Sequence, residues 1–269
     1  MFHERQNNGW LMVEKPHEDS QFKVLLLPGL HGSDLVFKRL MKSKVTENTG
    51  IHFIAANPPG FKGLDVPAGF DFKVESFAYL YEQMAAAENI GMLIGHSFSA
   101  NVLIEVAARG NFKGKLVLIS PSLYRSAEIR DLLTLDSLSR KPLVSGVTWR
   151  LTYMMMDKVF KPYFNTKSEL SEAVTAGRMI PFETARKTLM GYFDHLDENG
   201  NLTEKIRKTR IPLWYVRGSL DDIRFTEKDK AGIMQSKFVH YEEIHGARHF
   251  AMIDRPDDVA RVILNAVSD

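Results

Sequence analysis

Three residue types that together perform proton-relayed acyl chemistry occur along this 269-residue chain in contexts that can bring them together. Ser97 lies in Gly95-His96-Ser97-Phe98-Ser99, between the apolar run 92–95 and a helix-forming run that begins Ala100-Asn101-Val102. A serine on so sharp a strand-to-helix turn takes a strained backbone, and the residues two before and two after it must be small, as Gly95 and Ser99 are. Asp221 and Asp222 follow the apolar run 213–217, and His249 closes the loop Ile244-His245-Gly246-Ala247-Arg248-His249. A serine hydroxyl is a poor nucleophile. An imidazole must take its proton during attack and return it to the leaving group, while a carboxylate fixes the imidazole tautomer and stabilises its cation. Two adjacent aspartates point in different directions, so only one of them can serve.

These residues need elements to hold them. Short runs rich in β-branched and aliphatic residues recur at 22–27, 51–56, 92–95, 115–120 and 213–217, each composed as a strand buried on both faces. Helix-like segments lie between them at 74–87, 99–109 and 257–267, the last with Val259, Ile263 and Val267 on one face. Strand and helix in alternation predict an α/β fold whose mostly parallel central sheet is covered by helices on both faces. The alternation stops after Ser120-Pro121, and from about 123 to 210 only helix-like segments occur, broken at Lys161-Pro162, Ile180-Pro181 and 197–201. The expected organisation is a core of residues 1–122 and 211–269 with a helical cap, 123–210, inserted between its halves. Serine, acid and histidine each fall at the carboxyl end of a predicted strand, where loops converge.

On these motifs the chain resembles the α/β-hydrolase superfamily from about residue 22 to 267. Serine, acid and histidine follow one another in that family's chain order. Further matches are Val24-Leu-Leu-Leu-Pro28-Gly29-Leu30-His31-Gly32, Asn57-Pro-Pro-Gly60-Phe-Lys-Gly63 where members often carry Asp and Arg-Gly, and the run from His249 to Pro256. Pro28 replaces a common histidine and Ser99 the usual glycine. The resemblance implies an oxyanion hole built from the backbone N–H groups of Leu30 and Phe98. It favours Asp221 as the acid, since Gly218-x-x-Asp221 fits the pattern and Ile223 follows; the alternative acid position of some relatives reads Ser120-Pro121-Ser122 and offers no carboxylate. The implied activity is hydrolysis of a small-molecule carboxylic ester or thioester by Ser97, His249 and Asp221, with no metal and no organic cofactor. Amidases, C–C hydrolases, acyltransferases and hydroxynitrile lyases use the same triad. Haloalkane dehalogenases and epoxide hydrolases of the superfamily place an aspartate where Ser97 stands. A non-catalytic ligand receptor on the same scaffold is the rival from another class, and such proteins usually lose a triad member.

The remaining features set bounds. Of nine histidines, His96 is expected to pack or hydrogen-bond locally, and His245 to shape the loop that presents His249. His31, Trp149, Met155 and Phe160 are candidates for touching substrate; a structural hydrogen bond is the plainer reading of His31, and the other three lie within an apolar cap cluster that packing between helices also explains. The segment 123–210 holds 15 Lys/Arg against 11 Asp/Glu, a hint of an anionic substrate group that solvated helix faces explain equally well. Net charge is only +2, so composition gives no reason to expect nucleic acid or a membrane surface as partner. The expected partner is a small molecule with an apolar acyl group. There is no cysteine, and the polar start Met1-Phe-His-Glu-Arg lacks the apolar stretch of a secretion signal, so the expected location is cytoplasmic.

Overall fold

The computed structural model describes residues 2–16, 20, 22–47, 49–164 and 166–269. Its strands are β1 (His3–Asn7), β2 (Trp10–Lys15), β3 (Phe22–Leu27), β4 (Ile51–Asn57), β5 (Met92–His96), β6 (Lys115–Ile119), β7 (Leu213–Gly218) and β8 (Val239–Ile244). They form one sheet in the order β1-β2-β4-β3-β5-β6-β7-β8. All neighbours from β4 through β8 are parallel; β2 runs antiparallel to β4, and β1 to β2. The helices are α1 (Lys38–Met41), α2 (Val74–Ala87), α3 (Phe98–Arg109), α4 (Arg130–Ser139), α5 (Pro142–Phe160), α6 (Lys167–Arg178), α7 (Phe182–Asn199), α8 (Thr203–Arg207), α9 (Glu227–Ile233), α10 (Ala251–Asp254) and α11 (Pro256–Ser268).

The side-chain period of two divides each central strand between two cores. Leu25 and Leu27 face the layer that holds α2 and α3, whereas Val24 and Leu26 face the layer of Val259 and Ile263 on α11. All four strand residues are fully buried, and each such side chain contributes about 1.5–3 kcal/mol of hydrophobic stabilisation. This is why the strands have continuous apolar runs rather than alternation. The helix ends are equally local in origin: α3 stops at Gly110, which takes φ 70°, and α11 starts on Pro256 with Asp257 and Asp258 in its first turn.

The β1–β2 hairpin is absent from the sequence-based expectation. Its turn is Asn8-Gly9, with φ 49° and 79°, a pair suited to the left-handed conformations of a tight hairpin. The flanking strand β1 is nearly all polar and exposed, so it carries no hydrophobic alternation to reveal it. Between β6 and β7 the described residues form helices and turns and no strand. These helices lie over the carboxyl ends of the central strands: Glu169 of α6 pairs with Arg39, and Tyr192 of α7 packs on Phe98 at 5.9 Å. No described helix is long and apolar enough to cross a membrane.

Candidate active site

Ser97 joins β5 to α3 with φ 52° and ψ −117°, a conformation that disfavours any residue with a Cβ and persists only where its surroundings impose it. The surroundings are visible. The Ser97 N–H donates to the Ile119 carbonyl at 2.8 Å, and Gly95 packs so closely that a Cβ there would lie 2.6 Å from the Ser99 backbone. Ser99, which departs from the family's usual glycine, has a use: its hydroxyl donates to the Pro28 carbonyl at 2.5 Å and receives the Tyr81 hydroxyl at 2.8 Å. That bridge ties the start of α3 to the loop after β3.

The same loop brings Gly29 against the nucleophile. A Cβ on Gly29 would stand 3.0 Å from Ser97 Cβ and from His96 Nδ1, so only glycine lets the chain pass there and present Leu30 beside Ser97. A turn closed by Gly32 N–H to the Gly29 carbonyl, 3.0 Å, follows at once. Phe98 is the first residue of α3, and its N–H belongs to the helix-start donors that have no partner within the helix. Both backbone groups expected for an oxyanion hole therefore belong to segments that meet at Ser97.

Asp221 and His249 are brought together from the ends of β7 and β8. The imidazole Nδ1 donates to Asp221 Oδ1 at 3.0 Å, and the Ile223 N–H donates to the same oxygen at 3.0 Å. The Asp221 side chain is 1% exposed, whereas Asp222 is exposed; of the two aspartates, the first is the one at the imidazole. Burial pushes the Asp221 carboxyl up, but the hydrogen bond and charge of His249 outweigh it and hold the pKa below the ordinary range. For His249, burial acts to lower the pKa, and the hydrogen bond to Asp221 with the charges of Asp221, Glu128 and Asp222 raises it above the usual histidine value.

His96 packs between His249 and Phe250, ring centroids 4.8 and 4.6 Å away, and its Nε2 hydrogen-bonds the His249 carbonyl at 3.1 Å. Burial, then the neighbouring His249, keeps it neutral. Its place is behind the base, where it fixes the backbone of His249. His31 stands on the other side, its ring 5.4 Å from Trp149 and edge-on to Tyr153 at 6.3 Å; burial pushes its pKa down to about 4.

Of the residues expected to touch substrate, Trp149 lines an open cleft of about 820 Å³ together with Tyr153, Met154, Arg178, Ile180 and Phe182. Ser97, Asp221 and His249 are not among its lining residues; the Trp149–His31 contact connects the cleft to the loop beside Ser97. Met155 and Phe160 do not line it. Met155 is 49% exposed on α5, and Phe160 packs with Met156, Ala173 and Val174 in a small cluster of its own. Helical phase turns Met155 away from this cleft, whereas Phe160 shares the face of Trp149 and Tyr153 but lies about two turns further along α5, beyond the residues that line it.

Sequence reasoning also missed Asp34, Tyr81, Glu128 and Tyr192. Asn57 and Lys62, where relatives often carry other residues, both hold the Asp34 carboxylate, at 2.8 and 2.9 Å. Nothing local in the sequence distinguishes Glu128 from acids on solvated helix faces.

A parallel sheet carrying a strained serine, a buried aspartate–histidine pair and convergent backbone donors defines a protein of the α/β-hydrolase class. The sequence matches the profile of the alpha/beta hydrolase family over residues 24–262, and the chain belongs to that family. No curated protein matches it by sequence. Its fold is similar to an epoxide hydrolase from Vigna radiata (TM-score 0.78, 12% identity, covering 99% of this chain and 98% of that one). It is also similar to epoxide hydrolase A from Mycobacterium thermoresistibile (0.75, 13%, 100% and 98%), and to a carboxylesterase structure from Nitrososphaera gargenis (0.71, 14%, 100% and 98%). At such identities the likeness is one of fold.

Proposed function

We propose that the protein is a serine hydrolase that cleaves a small-molecule carboxylic ester or thioester through an acyl-enzyme on Ser97. The observation that carries this reading is the pairing of Asp221 Oδ1 with His249 Nδ1 at 3.0 Å in a chain whose serine occupies the strained turn at the start of α3. With Nδ1–H engaged by the carboxylate, the lone pair of His249 is on Nε2. Ser97 Oγ attacks the ester carbonyl as its proton passes to Nε2, and the N–H groups of Leu30 and Phe98 receive the charge that develops on the carbonyl oxygen. The tetrahedral intermediate collapses, the leaving alcohol takes the proton from Nε2, and Ser97 remains acylated. Water then attacks with the same base, releases the acid and restores the serine. The chain needs no cofactor for any of these steps.

A serine hydroxyl at position 97 opposes the epoxide hydrolase reading that some structural neighbours invite, because the family resemblance implies an aspartate at this position in epoxide hydrolases. The helices between β6 and β7 are proposed to act as the cap, and the cleft beside Trp149 and Tyr153 to receive an apolar acyl chain. The test is labelling with a fluorophosphonate probe beside turnover of acyl esters and thioesters of graded length. Ser97→Ala is expected to abolish both while keeping the melting temperature and circular dichroism of the parent. Labelling that survives in this variant overturns the assignment of the nucleophile.

A further inference from the structure

A carboxyl group that the triad does not use sits beside it. Glu128 lies past β6, just after the turn Arg125–Ala127, and is only 7% exposed. Its Oε1 accepts a hydrogen bond from the Tyr192 hydroxyl. Its Oε2 is shielded from solvent and has no hydrogen-bond partner among the described residues.

Three relations place this group at the site. The Tyr192 ring that holds it packs edge-on against Phe98, the residue after the nucleophile. The Ala127 carbonyl next to it accepts the Arg224 N–H at 2.9 Å, three residues beyond Asp221. The charge of the carboxyl and that of the His249 ring favour one another, in keeping with this placement. Glu128 is thus tied, through Tyr192 and Ala127, to the nucleophile turn and to the loop of the acid.

Leaving one buried polar atom unpaired costs about 1–3 kcal/mol, and more when the group is charged. Binding Tyr192 requires one acceptor oxygen, which an amide would supply equally well. The second oxygen has no structural partner, and the protein contact that Glu128 does make delivers a hydrogen to it. Burial favours the neutral carboxyl, which Tyr192, His249 and, more weakly, the Ile129 N–H and the Ser122 hydroxyl oppose; the Ser122 hydroxyl donates to the Tyr124 carbonyl, and neither group meets hydrogen-bond geometry at Oε2. During turnover the imidazole becomes cationic, which favours the carboxylate and its role as acceptor.

We propose that Glu128 is a specificity-determining residue whose free Oε2 accepts a hydrogen bond from a hydroxyl or amino group of the substrate, next to the ester that Ser97 attacks. This inference rests on the ester-hydrolase reading. The substrate class it names is an ester whose acyl or alcohol part carries a hydrogen-bond donor.

The test compares kcat/KM for methyl butanoate, methyl 3-hydroxybutanoate and methyl 3-aminobutanoate, and for ethyl against 2-hydroxyethyl butanoate. The first set reads a donor on the acyl side and separates hydroxyl from amine; the second reads the alcohol side. The parent protein is expected to favour a donor-bearing ester over its plain counterpart by about tenfold or more in at least one arm, because a site built around a polar group discriminates against ligands that leave it unpaired. Glu128→Gln keeps an acceptor for Tyr192 but exchanges the free oxygen for an amide N–H₂. It is expected to erase that preference while plain esters are still hydrolysed. Tyr192→Phe, which leaves Oε2 in place, is expected to retain it. If circular dichroism shows Glu128→Gln unfolded, Glu128→Asp, which withdraws the carboxylate by one methylene, takes its place. A parent that discriminates in no arm, or a preference unchanged in the Glu128 variants, overturns the proposal. Failure of the hydrolase reading is seen separately, as no ester turnover and no fluorophosphonate labelling. In that event the same contrast is read from ligand-induced melting shifts of the Ser97→Ala protein, where the hydroxy or amino ester must raise the melting temperature more than the plain one.

Discussion

At the scale of single residues, the adjacent aspartates give the sharpest test of the proposed triad. Asp221 is buried against His249 while Asp222 is exposed. Asp221→Asn is expected to lower kcat by roughly 10⁴, the cost of presenting the imidazole in the wrong tautomer. Asp222→Asn should leave kcat within a few-fold of the parent and change stability by less than about 0.5 kcal/mol, as surface substitutions usually do. Steady-state kinetics on both variants decide, and the reverse pattern would transfer the role to Asp222. The pH dependence follows from the same pair. Protonated His249 cannot take the Ser97 proton, so activity falls on the acid side, and because the His249 pKa is raised the midpoint of that limb in kcat/KM is expected above the unperturbed histidine value of about 6.5. The linked contributions to stability run in opposite senses. A raised His249 pKa stabilises the fold fully below the unfolded value and loses that contribution as pH rises through the folded pKa. The lowered Asp221 pKa stabilises above the unfolded carboxyl value and loses its contribution as pH falls through the folded pKa. A limb centred well below pH 6 would contradict the Asp221–His249 pairing.

At the scale of elements, the turn between β5 and α3 is held by backbone contact and by a side-chain bridge, and each can be removed separately. Gly95→Ala places a methyl 2.6 Å from the Ser99 carbonyl carbon and oxygen, atoms that move only with the helix. The expected cost is about 1–3 kcal/mol of overpacking strain, with loss of labelling at Ser97. Ser99→Gly removes the bridge from Tyr81 to the Pro28 carbonyl and is expected to cost about 1–3 kcal/mol, because the buried Tyr81 hydroxyl loses its partner. Thermal melts of the two variants check both figures. This turn also shows what could be read from the sequence and what could not. Gly95, Ser97 and the apolar run before them were legible because steric demand at a sharp turn restricts the residue types within a five-residue window. Asp221 and His249 were legible as residues at the ends of predicted strands, and the family pattern Gly218-x-x-Asp221 favoured Asp221 over Asp222. Ser99 was legible only as a small residue; its partners Tyr81 and Pro28 lie 18 and 71 residues away, and no local pattern encodes them. Glu128 and Tyr192 were invisible for the same reason, with 64 residues between them.

At the scale of the whole molecule, the helices between β6 and β7 meet the rest of the chain through two kinds of contact. Close apolar packing occurs where Trp149 covers His31 and Tyr192 covers Phe98. Around it lie polar ties: Arg39 makes paired hydrogen bonds with Glu169 at 3.2 and 2.7 Å, Lys38 meets Glu172 at 3.1 Å, and Arg248 reaches the Pro162 carbonyl at 2.6 Å. Two of these ties join α6 to the segment that follows the Gly29–Gly32 turn, so they set how α6 sits over the loop expected to form half of the oxyanion hole. Ion pairs of this exposure contribute only about 0–1 kcal/mol each, far less than the cores beneath the sheet. Their effect is therefore expected on the seating of α6 rather than on global stability. The double variant Arg39→Ala, Lys38→Ala removes two such pairs, about 2 kcal/mol at most, and should shift the melting temperature by no more than about 8 °C, since 1 kcal/mol corresponds to roughly 2–4 °C in a domain near this size. Amide hydrogen exchange in 167–178 should accelerate, and, on the proposed placement of the acyl chain, KM for esters with long acyl chains should rise more than KM for acetate, since on that placement only a long chain reaches the cleft beside Trp149 and Tyr153. Raising the ionic strength of the parent should move KM in the same direction, as screening weakens exposed pairs. Equal changes for short and long esters, or unchanged exchange in α6, would show that these pairs do not govern how α6 sits over the loop that follows β3.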